Sequence, residues 1–236
     1  METTRRQVRG LGSDPDLEII AHRGANREAP ENTLTAFKRA LDAGAKGIEL
    51  DVHLTSDGGA VVHHDPMLRD GSKTAIATLS LAAVQRRASA PSLDEVLQLV
   101  DGRCRVYIEI KASGAVEAVV ALVEKRLDWC AVHSFDHRSV LRTRTLNSRI
   151  KTGILLVSYL VDVAGALRAA QATDVWQNAE LVDRDLVDNV HGAGGRVIAW
   201  TVNDITRARD LAHLGVDAIC TDVPREMIRG LNEGAA

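Results

Sequence analysis

From Leu17 onward, short apolar runs rich in β-branched residues alternate with amphipathic stretches. Leu17 to Ala21 is the first such run. Asn32 to Ala43 follows with apolar residues at Leu34, Phe37, Ala40 and Leu41, the spacing of one helix face. Gly47 to Leu54 predicts a second strand, and Ser56-Asp57-Gly58-Gly59 predicts a turn into a further extended piece, Ala60 to His63. Ser92 to Val100 predicts a helix opened by a capping box, with Ser92 as cap and Glu95 three residues on. The alternation then repeats. Strands are expected over Val106 to Ile110, Ala131 to Phe135, Lys151 to Val157, Asp174 to Gln177, Arg196 to Val202 and Ala218 to Thr221. Helices are expected over Ala115 to Leu127, Arg138 to Leu146, Val163 to Ala172, Arg184 to Ala193, Ile205 to Leu214 and Arg225 to Leu231.

Such an alternation demands a parallel sheet with helices outside it. Eight β–α units without a dividing linker predict an α/β fold of one domain, a (β/α)8 TIM barrel over residues 17–236. Residues 1–16 mix Arg, Thr, Gly, Asp and Pro and read as a flexible leader without the apolar core of a secretory signal.

Composition narrows the function. Of 236 residues, 45% are hydrophobic, which excludes global disorder. The 29 basic residues face 32 acidic ones and aromatics make up 3%, so neither a charge-driven nucleic-acid surface nor a base-stacking platform is expected. Cys104, Cys130 and Cys220 are too widely spaced for a zinc pattern or a disulfide framework and read as small buried hydrophobes. No 18-residue apolar window predicts a transmembrane helix, and the expected location is the cytoplasm.

In a barrel of this kind the chemistry gathers where strands end. Those ends carry His22-Arg23-Gly24, Glu49-Leu50-Asp51, His63-His64-Asp65, Glu109-Ile110-Lys111, Trp200-Thr201-Val202-Asn203 and Thr221-Asp222. Residues two apart on a strand share a face, so Glu49 projects with Asp51 and Glu109 with Lys111, while Ile48, Leu50, Ile108 and Ile110 point to the helices. Carboxylates held about 4 Å apart repel by about 4 kcal/mol per pair at an effective dielectric near 20. A hard divalent cation, Mg²⁺, Ca²⁺ or Mn²⁺, is the usual compensation. Imidazoles that move protons near neutral pH, beside basic groups and carboxylates, are the parts of phosphoryl chemistry.

The motifs carry a resemblance. Ile19-Ile20-Ala21-His22-Arg23-Gly24 with Pro30-Glu31-Asn32-Thr33, then Gly47 to Thr55, Val61-Val62-His63-His64-Asp65, Pro91 to Leu97, Glu109-Ile110-Lys111, Trp200 to Asn203 and Gly215 to Asp222 resemble, in order and spacing, the glycerophosphodiester phosphodiesterases. The resemblance spans nearly the whole chain and implies a (β/α)8 barrel. It further implies that Glu49, Asp51 and Glu109 ligate a divalent metal, Mg²⁺ or Ca²⁺ with Mn²⁺ possible. His22 and His64 would be the acid and base pair, Arg23 and Lys111 would bind the phosphate, and Trp200 would line the cleft. The implied substrate is a small glycerophosphodiester, hydrolysed to sn-glycerol 3-phosphate and an alcohol. The family often has an Arg-Thr-Thr-like run after its histidine pair, where this chain has Leu68-Arg69-Asp70-Gly71.

Two alternatives accompany this expectation. One is a phospholipase D-like enzyme for lysophospholipids, with Met67, Leu68 and the Leu155 to Val163 region as an apolar rim or as plain loop packing. The other is a non-catalytic barrel that binds a phosphodiester. Among the remaining polar residues, Asn32 is expected to cap the first helix. His53 should share the face of Glu49 and Asp51, His63 should face away from His64, and His133 should be a satisfied core histidine.

Overall fold

The computed structural model describes residues 17–233; the leader expected over residues 1–16 lies outside them. Strand β1 (Glu18–Ala21) leads through a tight loop to α1 (Leu34–Asp42), and β2 (Gly47–Leu54) turns back on a short β3 (Ala60–Val62). An excursion then carries α2 (Leu81–Ala88) before α3 (Leu93–Val100). Six β–α units complete the chain: β4 (Arg105–Ile110) with α4 (Val116–Val123), β5 (Cys130–Ser134) with α5 (His137–Leu146), β6 (Lys151–Leu156) with α6 (Val163–Ala169), β7 (Asp174–Asn178) with α7 (Arg184–Gly192), β8 (Arg196–Trp200) with α8 (Ile205–Leu214), and β9 (Ala218–Thr221) with α9 (Pro224–Glu233). Strands β1, β2 and β4 to β9 pair in parallel and close where β1 meets both β2 and β9, whereas β3 is antiparallel to β2. The eight-stranded barrel is therefore the observed fold.

The local signals act as their chemistry requires. Ser92 accepts from the Glu95 N–H while the Glu95 side chain accepts from the Ser92 N–H, a complete capping box. Asp204 caps α8, which stops at Gly215 in the left-handed region. Two apolar layers lie outside the barrel. One joins β2, β4 and β5 to α1, α3 and α4, and the other joins β6 to β9 to α6, α7 and α8. Ile48, Leu50, Ile108 and Ile110 lie in the first, as strand alternation predicts. Cys104, Cys130 and Cys220 are buried and free. Among the described residues, no helix is long and apolar enough to cross a membrane.

Helix α2 has no counterpart in the expected elements. Leu81, Val84 and Ala88 share one face of it and pack on the excursion, but only Val84 is fully buried, so good helix formers and the Ser80 cap also support it. With Val61, Leu68, Ile76 and Ala90, Val84 makes a small separate core for the excursion.

The barrel interior is layered. Ile20, Tyr107, Ala131, Leu155, Trp176, Ile198, Ala218 and Cys220 fill its middle. Below them, Glu18 accepts from Arg196 Nη2 (2.7 Å), Arg105 Nη1 (3.2 Å) and Tyr107 Oη (3.0 Å), closing the floor with charge. Glu18→Ala is expected to lower the unfolding free energy by about 2–3 kcal/mol, because it leaves two partly buried guanidinium groups without their shared carboxylate. Urea unfolding measures this, and an unchanged midpoint would show that water replaces Glu18 without cost.

Candidate active site

At the opposite end, β1 stops at Ala21 and the chain turns sharply. Arg23 adopts φ +55° and Gly24 φ +81°. A side chain on Gly24 would meet the Ala36 backbone at 2.7 Å, so only glycine fits between this turn and α1. The turn aims the Arg23 N–H at Glu49 Oε2 (3.1 Å) and frees the His22 ring for the mouth. His22 Nδ1 donates to Asp222 Oδ1 at 2.7 Å. Asp222 in turn accepts from Asn26 Nδ2 (2.6 Å) and Asn203 Nδ2 (2.8 Å). Burial opposes ionisation of Asp222, but the bonds from His22, Asn26 and Asn203 outweigh it and hold its carboxyl well below the usual range.

Strand register assembles the acidic centre. Asp51 lies beside Glu109, and Glu109 beside His133, in one row across β2, β4 and β5, with Glu49 one inward position deeper. Glu49, Asp51 and Glu109 are all buried. Lys111 Nζ sits 2.9 Å from Glu109 Oε1 and 3.4 Å from Asp51 Oδ1. Arg23 Nε lies 3.2 Å from Asp51 Oδ2, which also accepts from Asn32 Nδ2 at 2.8 Å. Burial works against the Asp51 charge, yet Lys111, Arg23 and Asn32 together keep its carboxyl below its ordinary value. Glu49 differs: burial, then Asp51 and Glu109, push it well above the carboxylate range. Burial and Asp51 push Glu109 up to about 7 against the pull of Lys111. Glu49, Glu109 and His133 offer ligand atoms within 4.8 Å of one another.

The second imidazole enters from the excursion. His64 Nδ1 donates to Asp65 Oδ1 at 2.8 Å, and His53 Nε2 donates to the His64 carbonyl at 3.0 Å. Arg69 Nε donates to Asp65 Oδ2, and its Nη1 donates to Glu31 Oε1 at 2.8 Å. Glu31 Oε2 accepts from Arg23 Nη1 at 3.1 Å. Arg69 above all, then His64, hold the Asp65 carboxyl well below its ordinary value. His63 takes no part in this pair and donates from Nδ1 to the Asp65 carbonyl at 2.8 Å.

Apolar side chains line part of the remaining mouth. Trp200 ends β8 with its indole edge-to-face on Phe135, ring centroids 5.6 Å apart. Val157, Tyr159 and Val161 are exposed on the loop after β6, whereas Leu68 is buried and Leu160 is partly packed into the barrel's outer layer.

The structure thus gathers Glu49, Asp51 and Glu109 with Arg23 and Lys111, and brings His22 and His64 to the same mouth. Asn32 is a correction. Thr33, not Asn32, caps α1 by accepting from the Ala36 N–H. Asn32 takes φ +57°, and its buried amide turns to Asp51. His133 is also not the satisfied core residue expected, since its Nδ1 is buried without a partner. Sequence reading gave no role to Asp65, Asp222, Asn26 or Asn203. The adjacency of His64 and Asp65 was the one available signal, because the other contacts join residues up to 200 positions apart.

The acidic centre has a measurable consequence without metal. Glu109 holds its proton more tightly folded than unfolded, so it favours the folded state at low pH. That contribution is lost as pH rises from its ordinary 4.5 through about 7. Glu109→Gln is therefore expected to stabilise the chelator-treated protein by about 2–3 kcal/mol above about pH 8 and to change little below about pH 4. Thermal unfolding across that range checks it; equal effects at both ends would contradict the charge argument.

Comparison with known proteins agrees with this geometry. The profile of the Glycerophosphoryl diester phosphodiesterase family matches residues 22–226. A glycerophosphodiester phosphodiesterase of Caldanaerobacter subterraneus subsp. tengcongensis is 30% identical over 241 residues, covering 92% of this chain and 98% of its own. One from Bacillus altitudinis is 30% identical over 237 residues, covering 90% and 97%. The crystal structure of glycerophosphodiester phosphodiesterase from Thermotoga maritima superimposes with a TM-score of 0.82 at 25% identity, covering 90% of this chain and 97% of that one. The chain belongs to the glycerophosphoryl diester phosphodiesterase family.

Proposed function

We propose that this enzyme hydrolyses small glycerophosphodiesters to sn-glycerol 3-phosphate and an alcohol, with a divalent cation held by Glu49, Asp51 and Glu109. The observation that carries the reading is the pairing of two carboxylate-backed imidazoles with one buried acidic centre flanked by Arg23 and Lys111. The donor set fits a cation. Two of the three carboxyls are pushed up by burial and mutual repulsion, the condition a bound positive ion relieves. Such an ion would supply charge neutralisation at the phosphate oxygens.

The chain's own groups do the rest. Arg23 and Lys111 each contact the acidic centre and also face the mouth, where they would hold the phosphate and offset charge growing on its oxygens. Since Asp222 accepts from His22 Nδ1, Nε2 is the nitrogen left to face substrate. Asp222 is bonded by two neutral amides, with the guanidinium of Arg27 farther off at 3.7 Å, and so keeps most of its charge for His22, which suits His22 to protonate the departing alkoxide. Asp65 shares its charge with Arg69, which suits His64 to take the proton of the nucleophile. That nucleophile is a water molecule or a neighbouring glycerol hydroxyl. The buried free cysteines fit a reducing compartment such as the cytoplasm.

A second substrate reading rests on one observation, the exposed Phe135, Val157, Tyr159 and Val161 beside the polar mouth. They would receive the acyl chain of a lysophospholipid.

The first test is release of sn-glycerol 3-phosphate from glycerophosphocholine, glycerophosphoethanolamine and glycerophosphoglycerol, with EDTA or with added Mg²⁺, Ca²⁺ or Mn²⁺. Metal-dependent release is expected. No release from any of the three, but choline released from lysophosphatidylcholine, would move the assignment to the second reading. His22→Ala and His64→Ala should each lower kcat by about 10²-fold or more; a near-normal rate in either would remove that histidine from the mechanism. Asp222→Asn should lower kcat by about tenfold or more with little change in KM, because the imidazole loses its orienting charge. Glu49→Gln should raise the metal concentration needed for activity, and an unchanged metal titration would exclude Glu49 as a ligand.

A further inference from the structure

His133 has no part in the reaction above. It faces the barrel interior from β5, beside Glu109, and is 1% exposed. Among the described residues, neither of its ring nitrogens has a hydrogen-bond partner. Nδ1 is buried and unpaired, and Nε2 points to Glu49 Oε1 at 3.9 Å, beyond hydrogen-bond reach. A buried imidazole is normally paired, so a histidine aimed at two carboxylates with nothing bound to it calls for a partner.

The ring is held rigidly for such a partner. It stacks on Trp176, centroids 4.2 Å apart and planes 9° apart. Trp176 is wedged edge-on against Tyr107 and fills the space where a side chain on Gly153 would stand, 2.8 Å from its ring. Metal-bound histidines are usually oriented by a hydrogen bond from the second nitrogen; here the indole face fixes the plane instead. The ligand atoms of Glu49, Glu109 and His133 lie within 4.8 Å of one another. Opposed ligands on one divalent ion stand about 4–5 Å apart, given bonds of about 2.0–2.6 Å. Asp51, meanwhile, is drawn toward Lys111, Arg23 and Asn32.

We propose that His133 is a further, nitrogen ligand of the cation held by Glu49, Asp51 and Glu109, and that it makes the centre favour a first-row transition ion such as Mn²⁺ over Mg²⁺ and Ca²⁺. This rests on the reading that the carboxylates hold a cation. Mg²⁺ and Ca²⁺ take oxygen ligands, whereas imidazole suits transition ions, so one buried imidazole among carboxylates biases the choice.

The test is binding and spectroscopy on the full-length protein, independent of turnover. Mn²⁺ is titrated into chelator-treated protein with free Mn²⁺ followed by EPR, and the bound ion is examined by pulsed EPR for coupling to a directly coordinated nitrogen. Nitrogen coupling is expected in the unaltered protein and is retained in His22→Ala and in His64→Ala. His133→Gln should remove it and weaken Mn²⁺ binding about tenfold or more. Mg²⁺ affinity, read by competition, should change by less than about twofold, because oxygen ligands carry it.

Bound Mn²⁺ without nitrogen coupling, or coupling lost in His22→Ala or His64→Ala, would overturn the proposal and leave the carboxylate reading intact. So would unchanged Mn²⁺ affinity in His133→Gln. Failure to bind any divalent ion would overturn both together. If His133→Gln does not fold, the unaltered protein and the two mouth-histidine variants still decide.

Discussion

Crowding of buried negative charge is the constraint around which the mouth of this barrel is arranged. Register places Asp51 and Glu109 side by side with Glu49 just beneath them. At a few ångströms each like-charged pair costs about 4 kcal/mol even at an effective dielectric near 20. Much of the surrounding local structure answers that repulsion. The left-handed Arg23 brings both a backbone N–H and a guanidinium to the acidic centre from one residue. Gly24 makes the turn possible against α1. Lys111, two residues beyond Glu109 on the inward face, reaches back to two carboxylates at once. Asn32 leaves the helix cap to Thr33 and spends its amide on Asp51.

The same strands carry a second ionic layer at the other end, and the apolar middle separates the two. Glu18 and Asp174 balance Arg105 and Arg196 at the floor. Tyr107 spans the layers, its ring among the apolar side chains and its hydroxyl on Glu18. The floor can therefore close the barrel without drawing charge from the mouth. The acidic centre finds its balance only upward, in Arg23, Lys111 and whatever binds there.

Most of the fold was legible because strand and helix periods are local properties of the chain. The capping box at Ser92, the stop at Gly215 and the inward pairs Glu49 with Asp51 and Glu109 with Lys111 all follow from spacing alone. The residues that escaped depend on relations between segments. His133 joins the carboxylates because β4 and β5 align it with Glu109, and register across parallel strands is set by barrel closure. Asp222 meets His22 because the last strand closes on the first. Asn32 and Thr33 are both competent caps, and only the backbone turn at φ +57° decides between them. Helix α2 does carry a helical stripe at Leu81, Val84 and Ala88, but it is short and lies outside the β–α alternation, which leaves it inconspicuous in the sequence.

The excursion is where the chain departs from the motif pattern it otherwise follows, and it is not remote from the chemistry. Its buried Leu68 and the Arg87 contacts to Asp70 make it a unit with its own core and its own ion pair. From that unit Arg69 reaches out to two carboxylates that belong to different parts of the mouth, Asp65 behind His64 and Glu31 behind Arg23. One exposed ion pair contributes little. Here a single guanidinium joins two such pairs, each ending on a carboxylate bonded to a side chain of the mouth. Its position therefore couples the orientation of His64 to that of Arg23. Loss of Arg69 would therefore loosen both sides of the mouth at once, although among the described residues neither side touches the other directly.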